Sequence, residues 1–281
     1  MSSVEKMVLE VGDIPPIPAV ATKVLALLND HGTTAETLAR TIEADPAVAA
    51  RIIKISNSPY YGAYRQIQTL PAAIVTLGLN TLRSLVVTAA VSEAYKPFGL
   101  MEKMLWEHSM GAAVAARIIA ASVPQVNKEE AYLVGLFHDI GKVIMHAKDP
   151  AKFQALVQLC YNEELPFAEV ESTMYPYTHP EVGGYVIRQW NFPEALVVAV
   201  ERHHDLAFPD EVALHDRQLT AVAAMGHAFC SRLGIGQRFP SEGSLPIEER
   251  AAQILGLEQE KTEELIEVFR ESYENSRSSF V

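Results

Sequence analysis

The sequence predicts an all-α protein, a multi-helix bundle with an N-terminal helical subdomain. Three observations carry this. Helix start and stop signals recur at short intervals. Apolar residues repeat at helical spacing, as in Val48, Ile52 and Ile55 on one stripe with Arg51 and Lys54 turned elsewhere. No segment alternates apolar and polar residues as a half-buried strand does, and no internal repeat is present. With 281 residues, 49% of them hydrophobic, the chain can bury a sizeable core as one large domain or two smaller ones.

The elements follow in order. Thr33 and Glu36 have the spacing of a capping box. Asp45-Pro46 places a capping residue before a proline at the first helical position. Pro71 opens a helix that Gly78 ends after Ala72–Leu77. Leu85–Val91 is apolar but far short of the roughly 18–20 residues that span a bilayer, and reads as a buried helix. Asn127-Lys-Glu-Glu130 is a capped start whose acids suit the helix dipole. Pro193 and Pro246 open later helices, and Gly256 ends Ile247–Leu255.

Three regions are expected: 1–100, an N-terminal helical subdomain; 101–235, a helical bundle holding eight of the nine histidines; and 236–281, a loop and amphipathic C-terminal helices packing on the bundle. Tyr95-Lys-Pro-Phe-Gly-Leu100 is the expected linker between the first two.

Charge narrows the function classes. A net charge of -12 and a pI near 5.2 exclude the broad cationic surface that nucleic acid or an anionic membrane requires. A helix-turn-helix over Thr34–Ser56 would have only Arg40, Arg51 and Lys54, offset by Glu36, Glu43 and Asp45. A local site for a nucleotide or phosphate remains compatible with this balance. Cys160 and Cys230 make neither a disulfide framework nor a zinc motif. The start MSSVEKMVLEVGD lacks the basic and apolar regions of a signal peptide, so a cytoplasmic protein is expected.

The chemistry lies in histidines set in apolar surroundings. GLFHDIGKVIM (Gly135–Met145) carries His138, Asp139 and Lys142 inside a greasy segment. Burying such a pair is costly unless its members are hydrogen-bonded, paired or bound to metal. His108, His179 and the pair His203-His204 sit in similar contexts. Adjacent helical residues project about 100° apart, so each pair can flank a central cavity from one helix. Imidazole and carboxylate suit zinc, iron, manganese or nickel. Lys142, one turn past His138, could bind a phosphate or orient a water. Plainer roles stand beside this: His108 as a core or surface residue, His179 as a helix cap, and His203-His204 as a solvated helix end. His31, His146, His215 and His227 fit loops or helix surfaces.

The order His108 … His138-Asp139-Ile140-Gly141-Lys142 … His179 … His203-His204 resembles the HD superfamily of metal-dependent phosphohydrolases. More specifically, the chain is similar to the HDOD proteins, the HD-related output domain of bacterial signalling. Further likenesses are Ile14-Pro-Pro-Ile-Pro18, Glu43-Ala-Asp-Pro-Ala47, Ile55-Ser-Asn-Ser-Pro-Tyr-Tyr-Gly62, Leu77-Gly-Leu-Asn-Thr-Leu82, His179-Pro-Glu-Val-Gly183 and Trp190-Asn-Phe-Pro193. The resemblance as a whole covers roughly Ile14 to Leu233.

The resemblance implies an all-α, HD-type bundle behind an N-terminal helical portion. It implies one or two divalent ions on His108, His138, Asp139, His179, His203 and His204, with Lys142 assisting phosphate or water. In active HD enzymes a final aspartate from a later helix completes the site. That helix here, Leu219–Cys230, has no Asp, and His227 lies nearest the expected place. The Gly-Tyr-Pro signature of cyclic-di-GMP phosphodiesterases is also missing, since Asp-Leu-Ala-Phe-Pro209 follows His204. The expected function is a regulatory module that engages protein partners, with Asn57–Gly62 as a docking turn, and holds a partial metal site without turnover. The competing expectation is a metal-dependent phosphohydrolase.

Overall fold

Caps and prolines cut this chain into helices where its sequence places them. The computed structural model describes residues 19–28, 33–61, 66–92, 99–163 and 165–280. The N-terminal stretch, Ile14–Pro18, His31, Gly62 and most of the Tyr95–Leu100 linker lie outside them. Among the described residues every regular element is a helix, and none is long and apolar enough to cross a membrane.

The helices, in chain order, are α1 (Ala19–Leu28), α2 (Ala35–Glu43), α3 (Pro46–Ser56), α4 (Leu70–Leu77), α5 (Leu79–Val91), α6 (Leu100–Ala120), α7 (Lys128–Phe137), α8 (Ile140–Lys148), α9 (Pro150–Glu163), α10 (Phe167–Met174), α11 (His179–Gln189), α12 (Glu194–Arg202), α13 (Leu214–Leu233), α14 (Leu245–Leu255) and α15 (Gln259–Phe280). Asp45 caps α3 by accepting from Ala47 N and Val48 N, and Asn127 caps α7 by accepting from Glu129 N and Glu130 N. The first cap is one residue later than the sequence predicts. Thr34, not Thr33, accepts from Thr37 N, which leaves Glu36 one position short of a capping box. Gly78 ends α4 and begins α5 at φ +81, a conformation that disfavours any side chain.

The chain divides into two compact units. One comprises Pro15–Glu107, described from Ala19, together with Glu267–Val281. In it α1–α5 pack around Leu38, Ile42, Ile52, Ile55, Leu82 and Leu85, all essentially inaccessible to solvent. The segment expected to be a docking turn has an internal role here. Asn57 Nδ2 donates to Ile67 O at 2.7 Å, and Ile67 N donates to Asn57 Oδ1 at 2.7 Å. One amide thus clamps the backbone of Ile67 in the segment that leads into α4. Arg277, near the end of α15, donates to Glu107 Oε1 at 3.0 Å in the same unit.

The other unit contains His108–Ile266 and all the predicted site residues. Its core includes Tyr132, Phe137, Phe153 and Phe229. Here α8 packs on α11, α11 on α12, α12 on α13, and α13 on both α7 and α14. Two glycines set the spacing. A Cβ on Gly135 would collide with the backbone of Ala112 and Ala113, and one on Gly141 with His179 O and Gly183 N. Backbone therefore touches backbone where α7 meets α6 and where α8 meets α11. The second contact brings Asp139, two residues before Gly141, beside the first residue of α11.

Candidate metal centre

The site is assembled from helix ends. His138 is the C-terminal cap of α7 and Asp139 the N-terminal residue before α8, so this pair forms the joint between two helices. His203 ends α12, with His204 in the turn after it. His179 is the first residue of α11, behind a capping box in which Glu181 Oε2 accepts from Thr178 N at 2.8 Å. The sequence suggests pairs flanking a cavity from within one helix. Instead both pairs sit where helices stop, because buried imidazoles there use freed backbone carbonyls as partners.

That use is systematic. His138 Nδ1 lies 2.8 Å from Gly135 O, His203 Nδ1 2.7 Å from Val200 O, and His108 Nδ1 3.0 Å from Ile235 O. His179 Nδ1 lies 3.0 Å from both carboxylate oxygens of Glu171. Each acceptor holds a proton on Nδ1, which leaves the Nε2 lone pair facing inward. Those Nε2 atoms converge on Asp139. His138 and His108 approach Oδ2 at 3.3 and 3.6 Å, and His179 and His203 approach Oδ1 at 3.2 and 3.6 Å.

All six predicted ligands are therefore brought together, and one residue joins them that fits a helix surface by its own sequence context but that the resemblance places nearest the missing aspartate. His227, on α13, is buried. Its Nδ1 lies 3.0 Å from His108 Nε2 and 3.3 Å from His138 Nε2. Two groups result, His108–His138–Asp139–His227 and Asp139–His179–His203–His204, whose ligand atoms lie within 4.8 Å of one another in each group. Asp139 belongs to both. His204 lies nearest the surface, with its Nε2 turned inward to 3.2 Å from His179 Nε2. Lys142 Nζ donates to Asp139 Oδ2 at 2.8 Å and lies 4.5 Å from the centroid of the Phe167 ring. His146 is half-buried at the end of α8, and His215 pairs with Glu130 at 3.3 Å on an exposed surface.

The electrostatics suit a cation. Burial pushes His108 down to about 4 and His203 to about 3, against the upward pull of Asp139. Burial also lowers His204 and His227 well below the usual histidine range, and neighbouring imidazoles reinforce this. Burial alone would raise Asp139. Its neighbours His138 and Lys142, together with hydrogen bonding to the surrounding imidazoles, overcome that and hold its carboxyl well below the usual range. His108, His203, His204 and His227 are thus held neutral around an ionised carboxylate, the protonation state that ligands need. Asp139 Oδ1 and His203 Nε2 are moreover buried with no hydrogen-bond partner. Two buried acceptors facing each other without a donor form an arrangement that a bound cation would satisfy. The donor set, imidazole nitrogens with one carboxylate, is that of zinc, iron, manganese or nickel sites. The groups present could hold a metal.

Sequence reasoning missed Glu171 as well. It is fully buried on α10 and also accepts from His179 N at 2.8 Å.

Comparisons with known proteins agree with this architecture. The family model described as HDOD domain matches residues 14–206, so His227 lies beyond the matched span. A curated protein of Treponema pallidum (strain Nichols), described as an uncharacterized protein, is 22% identical over 202 residues, which is 72% of this chain and 39% of that protein. The matching segment thus spans about two fifths of the length of the curated relative. Among solved structures, an HDOD domain protein with unknown function from Geobacter sulfurreducens superposes with a TM-score of 0.78 at 24% identity, covering 99% of this chain and 96% of that one. A protein from Shewanella amazonensis SB2B, named "Putative phosphohydrolase", gives 0.75 at 20% identity, covering 99% and 97%. At these identities the structures speak for the fold. The family match takes in more than half of the sequence, and the chain belongs to the HDOD family.

Proposed function

We propose that this chain is a regulatory module of bacterial signal transduction, cytoplasmic, that holds one or two divalent metal ions in its histidine cluster and acts through protein partners rather than turnover. The observation that carries this reading is the shared carboxylate. Asp139 is the one acid in both four-residue groups, and His227 supplies a neutral imidazole where an acid would offset a dication. When bound, a divalent ion supplies Lewis acidity and a site for an anionic ligand. Six imidazoles and one carboxylate leave such a centre strongly positive. A phosphate or nucleotide drawn to it is bound tightly in its ground state, which favours sensing over release.

The residues around the cluster have definite tasks. The backbone carbonyls of Gly135, Val200 and Ile235, with Glu171, fix the imidazole tautomers. Lys142 balances the charge of Asp139. The turn at Pro59–Tyr61 leaves Pro59 exposed and Tyr60 half-buried against Tyr61, and a partner docking there would meet this edge.

A second reading, metal-dependent phosphohydrolase, is favoured by Lys142, whose ammonium stands within reach of the same carboxylate and could hold a phosphoryl oxygen. One experiment separates the two. Protein loaded in turn with manganese, iron, nickel and zinc is tested against nucleotides, cyclic dinucleotides and simple phosphodiesters. The module reading expects ligand binding with no turnover above the Asp139→Ala background. Turnover abolished by Asp139→Ala, with the helical content intact, would establish the hydrolase instead.

A further inference from the structure

The two groups that share Asp139 are not equivalent. Around Oδ1, the carboxylate oxygen and His203 Nε2 have no hydrogen-bond partner, and Glu171 stands behind His179 with both oxygens 3.0 Å from Nδ1. Such a carboxylate raises the basicity of the imidazole and orients it. Around Oδ2 the needs are already met. Lys142 Nζ donates to that oxygen at 2.8 Å, whereas an imidazole pair occurs in each group, His227 with His108 at 3.0 Å and His204 with His179 at 3.2 Å. A dication at Oδ2 would share a buried oxygen with an ammonium, and like charges repel strongly where water is excluded.

We infer that the cluster loads metal in a fixed order: the Oδ1 group of His179, His203 and His204 takes the first ion, and Lys142 is an internal cation that opposes a second at the Oδ2 group of His108, His138 and His227. This rests on the metal-binding reading above and deepens it. Lys142 makes the centre a one-ion site at limiting metal, and it becomes a two-ion site only when the ammonium leaves Oδ2. Glu171 is a positioning residue for the first ion, and His227 belongs only to the second.

The test is equilibrium titration of the full-length, chelator-stripped protein with cobalt(II) alone, followed by the visible bands of the bound ion and by elemental analysis after dialysis. Wild type is expected to fill in two steps, the second at least about tenfold weaker. Lys142→Met, and Lys142→Gln as a second variant with a different packing risk, strengthen the second step by about tenfold or more and leave the first within about threefold. Glu171→Gln weakens the first step by about 10–100-fold and leaves the second unchanged. His227→Ala removes the second step alone. Two equal steps in wild type, or a second step that neither lysine variant strengthens, would overturn the ordering while leaving metal binding in place. A wild-type protein that takes up no cobalt would remove both the ordering and the metal reading.

Discussion

Glu171 Oε1 accepts the backbone N–H of His179 at 2.8 Å, and both oxygens of the same carboxylate lie 3.0 Å from that residue's Nδ1. One fully buried acid thus fixes the start of α11 and the direction of a central imidazole together. Glu171→Ala leaves two buried donors without acceptors, a loss of about 1–3 kcal/mol for each such group. Denaturant unfolding should show that loss, with Glu171→Gln recovering part of it because an amide oxygen still accepts. Equal stability of wild type and alanine variant would refute the role.

Acid should weaken the metal-free protein well above the range where carboxylates titrate. His108 is held at about 4 and His203 at about 3, and His204 and His227 are held low as well, against about 6.5 for histidine in an unfolded chain. Between those values the unfolded chain binds more protons than the folded one, so stability rises with pH there. The contribution is complete above about pH 6.5 and is lost as pH falls from there toward 4. Asp139, held low, adds a loss below about 4. Glu201 and Glu248, raised by burial, act in the opposite sense, but they are two groups against four. Melting curves of chelator-treated protein should therefore show a lower Tm at pH 5 than at pH 7. A Tm that is flat or higher at pH 5 would contradict the neutral-imidazole cluster.

Gly141→Ala tests the close approach of α8 to α11. Its Cβ would meet His179 O and Gly183 N, which are backbone atoms that cannot rotate away. Destabilisation of about 1–3 kcal/mol is expected from such overpacking, together with loss of bound metal as Asp139 shifts from His179. An alanine variant that melts with wild type would show that the contact is not tight.

Asn57→Ala tests the amide clamp. It removes both bonds to Ile67 and the bond from Asn57 Nδ2 to Ile53 O, and should cost about 1–3 kcal/mol in denaturant unfolding. An unchanged midpoint would return that segment to a purely external role.

Much of this was legible in the sequence. Asp45 and Asn127 announce helices by local chemistry alone, and the histidines of α6, α11 and α12 stand out against apolar neighbours. What was not legible depended on register or on long-range approach. Every residue of α13 from Gln218 to Ser231 is buried, so no polar face fixes which side His227 takes. Glu171 sits in Pro-Phe-Ala-Glu-Val-Glu171, where its neighbour Glu169 is exposed, and only the return of the chain at His179 distinguishes the two acids. The placement of His138-Asp139 and His203-His204 at helix ends was hidden because His, Asp and Lys do not end a helix by themselves.

The central claim is that the cluster around Asp139 is a metal centre and not a set of satisfied core residues. Elemental analysis of protein purified gently, without chelator or histidine tag, tests it most directly beside Asp139→Ala. About one to two equivalents of iron, manganese, nickel or zinc in wild type, lost in the variant, is the predicted result. Wild-type protein that carries no metal even after reconstitution would contradict it and leave Asp139 as the structural partner of Lys142.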